Sequence, residues 1–218
     1  MSPPTQSSTL NIALRPFETA VLLFTPIVAP VYAKVVQGTV GADTFMALET
    51  PGLYLGGPGQ DTVSYELVTQ GVIAQLDAGH HWALGGSWDL YDRVENVIGS
   101  AYDDLIVGDS APNLLRGGGG NDRIAGGGGD DTILGGVGND TLNGGEGNDR
   151  VDGGEGDDLI FVTGGQDTVA GGNGFDVLSF DGSRSGVSIW CVEGIAETSD
   201  GTVEFSAFEQ FEGTAFGD

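Results

Sequence analysis

Between Gly117 and Phe161 the chain reads GGGGNDRIA, GGGGDDTIL, GGVGNDTLN, GGEGNDRVD, GGEGDDLIF, five nonapeptides in unbroken register. The same frame runs upstream through GSAYDDLIV and GDSAPNLLR and downstream through VTGGQDTVA and GGNGFDVLS. It covers Gly99–Ser179 without a slip. Its sixth column is Asp104, Asn113, Asp122, Asp131, Asp140, Asp149, Asp158, Asp167 and Asp176. Its eighth is Ile106, Leu115, Ile124, Ile133, Leu142, Val151, Ile160, Val169 and Leu178, and columns one, two and four are mostly Gly. A fixed short period marks a solenoid in which each repeat is one rung.

The columns specify that rung. An aliphatic residue between variable neighbours predicts a short strand with one inward side chain. Gly-Gly-x-Gly-x-Asp before it predicts a tight turn, where glycine supplies positive φ at no steric cost. Three glycines per nine residues argue against a helix. Two nonapeptides make one coil turn, so alternate strands fall in two parallel sheets, and loops eighteen residues apart stack at about 4.8 Å. One edge then gathers Asp104, Asp122, Asp140, Asp158 and Asp176, and the other Asn113, Asp131, Asp149 and Asp167. Bare carboxylates at that spacing repel. A hard divalent cation between successive loops removes the repulsion, and an irregular cage of carbonyl and carboxylate oxygens suits calcium better than magnesium. Nine loops, each paired with the loop two units on, allow about seven such sites at most.

These nonapeptides resemble the G-G-x-G-x-D-x-U-x repeats of the RTX (repeats-in-toxin) proteins. The resemblance implies an all-β chain: a right-handed parallel β-roll, or β-solenoid, with non-repetitive β-rich connector segments. It implies calcium ligation by loop carbonyls and by Asp122, Asp131, Asp140, Asp149 and Asp158, which stand in full matches. Asp104, Asp167 and Asp176 match at the aspartate but lie in weaker or terminal loops. Asn113 sits in GDSAPN, without the glycines, and marks a weak site. The resemblance further implies a secreted or cell-surface protein, exported by a C-terminal signal that is not cleaved.

A longer repeat overlies the short one. Asp61–Tyr65 (DTVSY) aligns with Asp176–Phe180 (DVLSF) at an offset of 115, and Val94–Asp104 with Phe208–Asp218 at 114. The expected organisation is a leader over 1–37 and isolated rungs plus a connector over 38–98. The calcium roll follows over 99–179, then a second connector and the opening of a truncated second module over 180–218. GTVGAD (Gly38–Asp43) and GGPGQD (Gly56–Asp61) read as the isolated rungs. Ala20–Ala33 reads either as the apolar part of a secretory signal or as an extended segment, broken by Pro26 and Pro30, leading into the first strand.

Composition narrows the function. With 40 Gly and a net charge of -25, the chain repels nucleic acid and anionic membrane surfaces. Apolar runs are too short for a membrane-spanning helix. Cys191, the single cysteine, forms no internal disulfide. The roll holds 24 of the 40 glycines and 15 of the 32 acids, so the excess charge is concentrated where cations are expected. Adjacent His80 and His81 do not form a metal-binding helix pair, Gly182–Gly186 carries Arg184 where a nucleophilic serine would stand, and no Lys-Ser or Lys-Thr follows Gly117–Gly120. Trp82, Trp88 and Trp190 fall in the connectors, as caps or as carbohydrate-stacking surfaces. The expected protein is a non-catalytic, calcium-binding module. The alternatives are the tail of a secreted enzyme of metalloprotease, lipase or epimerase type, and a segment of a surface adhesin. One buried aliphatic per nine ordered residues gives a thin core, so metal affinity is expected to drive folding. Calcium is the partner the sequence specifies; it points to no particular protein partner.

Overall fold

A computed structural model describes residues 34–48, 52–76, 80–83, 88–181, 187–190, 194–198 and 201–213. Ala20–Ala33, Gly182–Gly186 and Cys191 lie outside them. The described residues form strands and loops, with no helix long and apolar enough to cross a membrane.

The first rungs are Lys34–Gln37 (β1), Thr44–Met46 (β2), Gly52–Leu55 (β3) and Thr62–Ser64 (β4), followed by Val72–Gln75 (β5), His80–Ala83 (β6) and Trp88–Asp92 (β7). The regular coil continues through Asn96–Ile98 (β8), Leu105–Val107 (β9), Leu114–Gly119 (β10), Arg123–Gly128 (β11), Thr132–Val137 (β12), Thr141–Glu146 (β13), Arg150–Glu155 (β14), Leu159–Phe161 (β15), Gly165–Asn173 (β16) and Val177–Ser179 (β17). Ser188–Trp190 (β18), Ile195–Glu197 (β19), Gly201–Ser206 (β20) and Gln210–Glu212 (β21) complete it. From β8 to β17, odd and even strands go to different sheets and pair in parallel with the strand two units away, as in Leu115↔Ile133 and Ile124↔Leu142. This is a parallel β-roll. Its core is the eighth column, Ile106 through Leu178, facing inward from the two sheets in turn, every member at most 2% exposed.

The central strands are longer than the expected aliphatic triplet. β10 to β14 each run six residues, into the first three residues of the next loop. The ladder steps over the column-one glycine: Arg116 pairs with Leu134, then Gly118 with Gly136. Gly118 and Gly120 hold φ of +110° and +105°, which glycine adopts freely. Space also demands glycine. A Cβ on Gly138 would collide with the Gly120 carbonyl oxygen one rung below.

Each connector is an antiparallel meander spliced into one sheet. β3 pairs in parallel with β7, β7 with β6 and β6 with β5 antiparallel, and β5 returns to parallel pairing with β9. The second connector repeats the plan: β16 pairs with β20 in parallel, and β20–β19–β18 is antiparallel. The other sheet closes directly across the gap in both cases, β4 on β8 and β17 on β21. The first meander lies in the 11-stranded sheet and the second in the 10-stranded one.

The two meanders are anchored differently. In the first, buried Asp89 accepts the Gly52 N–H at 2.5 Å and faces the Tyr65 hydroxyl at 3.5 Å, and Tyr65 meets Tyr91 at 3.4 Å. Burial pushes the Asp89 carboxyl up to about 6. At the equivalent positions the second module has Val203, Phe180 and Phe205, and Phe205 packs edge-on to Phe211 at 5.0 Å. Polar and apolar anchors have been exchanged as a set. Asp89→Val alone should therefore destabilise the calcium-saturated protein by about 1–3 kcal/mol, because it strands the Gly52 N–H and removes one partner of the Tyr65 hydroxyl. Adding Tyr65→Phe and Tyr91→Phe should recover part of that loss. Urea unfolding of the parent, the single variant and the triple variant measures both.

Candidate metal centre

Asp122 defines the repeating site. It is 1% exposed, and its Oδ1 accepts the N–H of Asp104, one coil turn earlier, at 2.8 Å. Its Oδ2 is buried with no hydrogen-bond partner. That oxygen faces the bare Cα of Gly117, and the Gly135 carbonyl oxygen of the next turn converges on the same space, 2.6 Å from where a Gly117 Cβ would stand. A side chain in column one would fill the gap. The arrangement recurs at Gly126 with Asp131 and the Gly144 carbonyl, at Gly135 with Asp140 and the Gly153 carbonyl, and at Gly153 with Asp158 and the Gly171 carbonyl.

The stacking follows the two expected edges. Asp122, Asp140 and Asp158 donate their N–H groups to the Oδ1 of Asp140, Asp158 and Asp176, at 2.8, 2.8 and 2.9 Å. On the other edge Asn113, Asp131 and Asp149 donate to Asp131, Asp149 and Asp167 at 2.8, 2.9 and 3.0 Å. All nine sixth-column residues are buried.

They are not equivalent, and column two separates them. Oδ2 is orphaned in Asp61, Asp122, Asp131, Asp140, Asp149, Asp158 and Asp176. Each of their loops has glycine in column two at positive φ: Gly57, Gly118, Gly127, Gly136, Gly145, Gly154 and Gly172. Where column two is Thr39 or Ser100, its N–H turns inward and binds the loop's own carboxylate, Asp43 or Asp104, at 2.6 Å. Asp104 is further occupied by the Ser100 hydroxyl and the Val72 N–H. Asn113 likewise caps Asp109 at 2.9 Å, and its amide donates to the Glu95 carbonyl. Asp167, which follows Thr163, caps Asp149 and is not among the orphaned carboxylates. The column-two glycine thus rotates a competing donor away and leaves a carboxylate oxygen open.

Loss of hydration raises these carboxyls, with neighbouring aspartates adding to the effect at several of them. Asp122, Asp158 and Asp167 are pushed up to about 7, Asp131 and Asp140 to about 6, and Asp104, Asp149 and Asp176 upward. Backbone N–H groups pull the other way and are outweighed. Among the described residues no three acidic, histidine or cysteine side chains converge on one point. The donors at each gap are instead a carboxylate and main-chain carbonyls. Such an all-oxygen set with one negative side chain per loop fits calcium.

Comparison with protein families agrees with this chemistry. Four copies of the RTX calcium-binding nonapeptide repeat match residues 98–133, 107–142, 125–160 and 143–178. The chain carries RTX calcium-binding repeats. No curated protein matches it. The matched RTX segment contains six of the seven orphaned carboxylates; Asp61 lies outside it. Sequence reasoning passed over Asp61, although GGPGQD carries the column-two glycine that opens the repeats. It also missed the outer ladder of column five, in which Asn139 and Asp157 donate N–H groups to the Oδ1 of Asn121 and Asn139 at 2.8 and 3.0 Å. That ladder runs along the exposed side of the loops.

Two outcomes follow from the electrostatics. The six orphaned carboxyls of the repeats, Asp122, Asp131, Asp140, Asp149, Asp158 and Asp176, have folded-state pKa values above their unfolded values. In chelator their contribution to stability is therefore fully present only below the ordinary Asp value of about 4 and is lost as pH rises from there through about 6–7. Thermal melts in chelator should fall across that range, whereas calcium affinity should rise across it as protons cease to compete. A chelated midpoint that is flat or rises with pH contradicts this. Asp140→Asn keeps the cap on Asp122 and removes charge from the gap. It should lower the bound-calcium count, while Asp140→Ala should also weaken the Asp122 turn by about 1 kcal/mol. Equilibrium dialysis and urea melts separate the two effects.

Proposed function

We propose that this chain is a non-catalytic module of a secreted or surface protein whose β-roll folds when it meets calcium. The single observation that carries the reading is the row of buried carboxylate oxygens without donors along both edges of the roll. An unsatisfied buried carboxylate is costly, and stacking repeats the cost at each turn. Calcium supplies positive charge and accepts several hard oxygens at once.

The remaining steps belong to the chain. Column-one glycines keep the gaps open, column-two glycines turn N–H groups aside, and Oδ1 of each aspartate fixes the spacing of successive turns. Six open aspartates in the repeats, Asp122, Asp131, Asp140, Asp149, Asp158 and Asp176, propose six sites there. Asp104 and Asn113 act as caps for the first turns. Binding to the folded form alone shifts the folding equilibrium with ion concentration. Sites built from one carboxylate per loop suit the weak affinities of extracellular modules, about 10⁻⁴–10⁻³ M. The chain would then stay expanded inside the cell and order itself outside.

Far-ultraviolet circular dichroism during calcium titration tests this, with magnesium at equal concentration as control. The β-sheet signal should grow cooperatively with calcium and stay low with magnesium. A spectrum already β-rich in chelator at pH 7.5, or an equal response to magnesium, contradicts the proposal.

A further inference from the structure

Where each meander ends, the chain re-enters the roll through a short segment, and the open carboxylate of the preceding rung meets it. Asp61 is fully buried. Its Oδ1 accepts the Asp43 N–H at 2.8 Å, and its Oδ2 has no partner. That Oδ2 faces the bare Cα of Gly56, as in the repeats. The carbonyl oxygen converging on the same space does not come from eighteen residues on. It belongs to Arg93, delivered across the whole first meander.

The carboxylate that follows is also different. In the repeats a gap carbonyl and its next aspartate are five residues apart, as in Gly135 and Asp140. At the re-entry they are two apart, Arg93 and Glu95. The extra methylene of glutamate spans the shortened loop, and Glu95 Oε2 accepts the Asp61 N–H at 2.8 Å, the place of the next Asp Oδ1. The Asp61 carbonyl in turn accepts from Glu95 and Asn96 N–H at 3.1 and 2.9 Å.

The second module builds the same junction. Gly171 faces Asp176 Oδ2 and the Ala207 carbonyl, and Glu209 Oε2 accepts the Asp176 N–H at 2.8 Å. Arg93 and Ala207 are moreover the non-glycine residues with positive φ among the described residues, both at 54°. Strain of this kind persists where surrounding structure demands it. Here it falls on the two residues whose carbonyls complete the gaps.

We propose that Asp61, the Arg93 carbonyl and Glu95 form a calcium site outside the recognised repeats, and that the Asp176 site, the last of the six in the repeats, is its counterpart, completed by the Ala207 carbonyl and Glu209; each fastens its meander to the roll. The inference rests on the calcium-dependent folding proposed above. The junction carboxylates act as a clasp: they tie β7 and β20, the re-entering strands, to the rung on which the next stretch of roll is stacked.

Asp61→Asn and Glu95→Gln test it, since each retains an oxygen to accept the same N–H and removes charge from the gap. Equilibrium dialysis with calcium alone should show one ion fewer than the parent for either variant. Hydrogen exchange at saturating calcium should show lost protection over Trp88–Asp92 and kept protection over Leu114–Glu155. Parent-like ion counts in both variants, with the repeats still responding to calcium, overturn the junction site and leave the folding proposal standing. A parent protein whose repeat amides ignore calcium overturns both. Should Asp61→Asn fail to fold, Glu95→Gln decides by the same count.

Discussion

Stacking loops at the spacing of β-strands forces oxygens together. The turns opened by column-two glycines each hold a buried aspartate Oδ2 that no donor reaches, against a column-one glycine whose space is too small for a side chain. Around that conflict the other features make sense: the glycines that admit close approach, the core of one aliphatic side chain per nonapeptide, and the carboxyls held well above their ordinary range by burial. This conflict supports the proposal that metal affinity and folding are one property of the roll.

The structure also divides its acids into classes. Oxygens satisfied by protein, such as those of Asp43 and Asp104, cap loops. Column-five side chains tie loops together on the outside. Among the described residues, the carboxylates with a buried oxygen that no donor reaches all stand behind a column-two glycine. Modules begin with capped loops at Thr39–Asp43 and Ser100–Asp104 and pass into open ones, so each starts with a turn held by the chain itself. Nine nonapeptides, an odd number, separate the connectors, which is why the two meanders lie in opposite sheets. A module of this length presents its inserted strands on alternate faces of the roll.

Much of this was legible in the residues. The nine-residue period fixes the alternation of sheets, and the pairing of Asp122 with Asp140 or Asp131 with Asp149 follows from two repeats per turn. The offset of 115 residues likewise announced duplicated connectors, and their strand registers match. Less was visible where hydrogen bonds decide. Nothing in column six distinguishes Asp104 from Asp122; the difference is the direction of one N–H in column two, set by backbone φ. Glu95 and Glu209 were hidden because a re-entrant loop of different length breaks the period. The extension of β10 to β14 into the glycines was missed because glycine is a poor strand former, and there the register of neighbouring turns overrides its preference.

The central claim is that calcium occupies the gaps left open by column-two glycines and passes over the others. Anomalous scattering from crystals grown in calcium, or in a lanthanide of similar size, locates the ions directly. Peaks should lie beside Gly56, Gly117, Gly126, Gly135, Gly144, Gly153 and Gly171, with none beside Gly38, Gly99 or Gly108. Ions in the Ser100–Asp104 loop, or glycine-opened gaps without ions, would contradict the account.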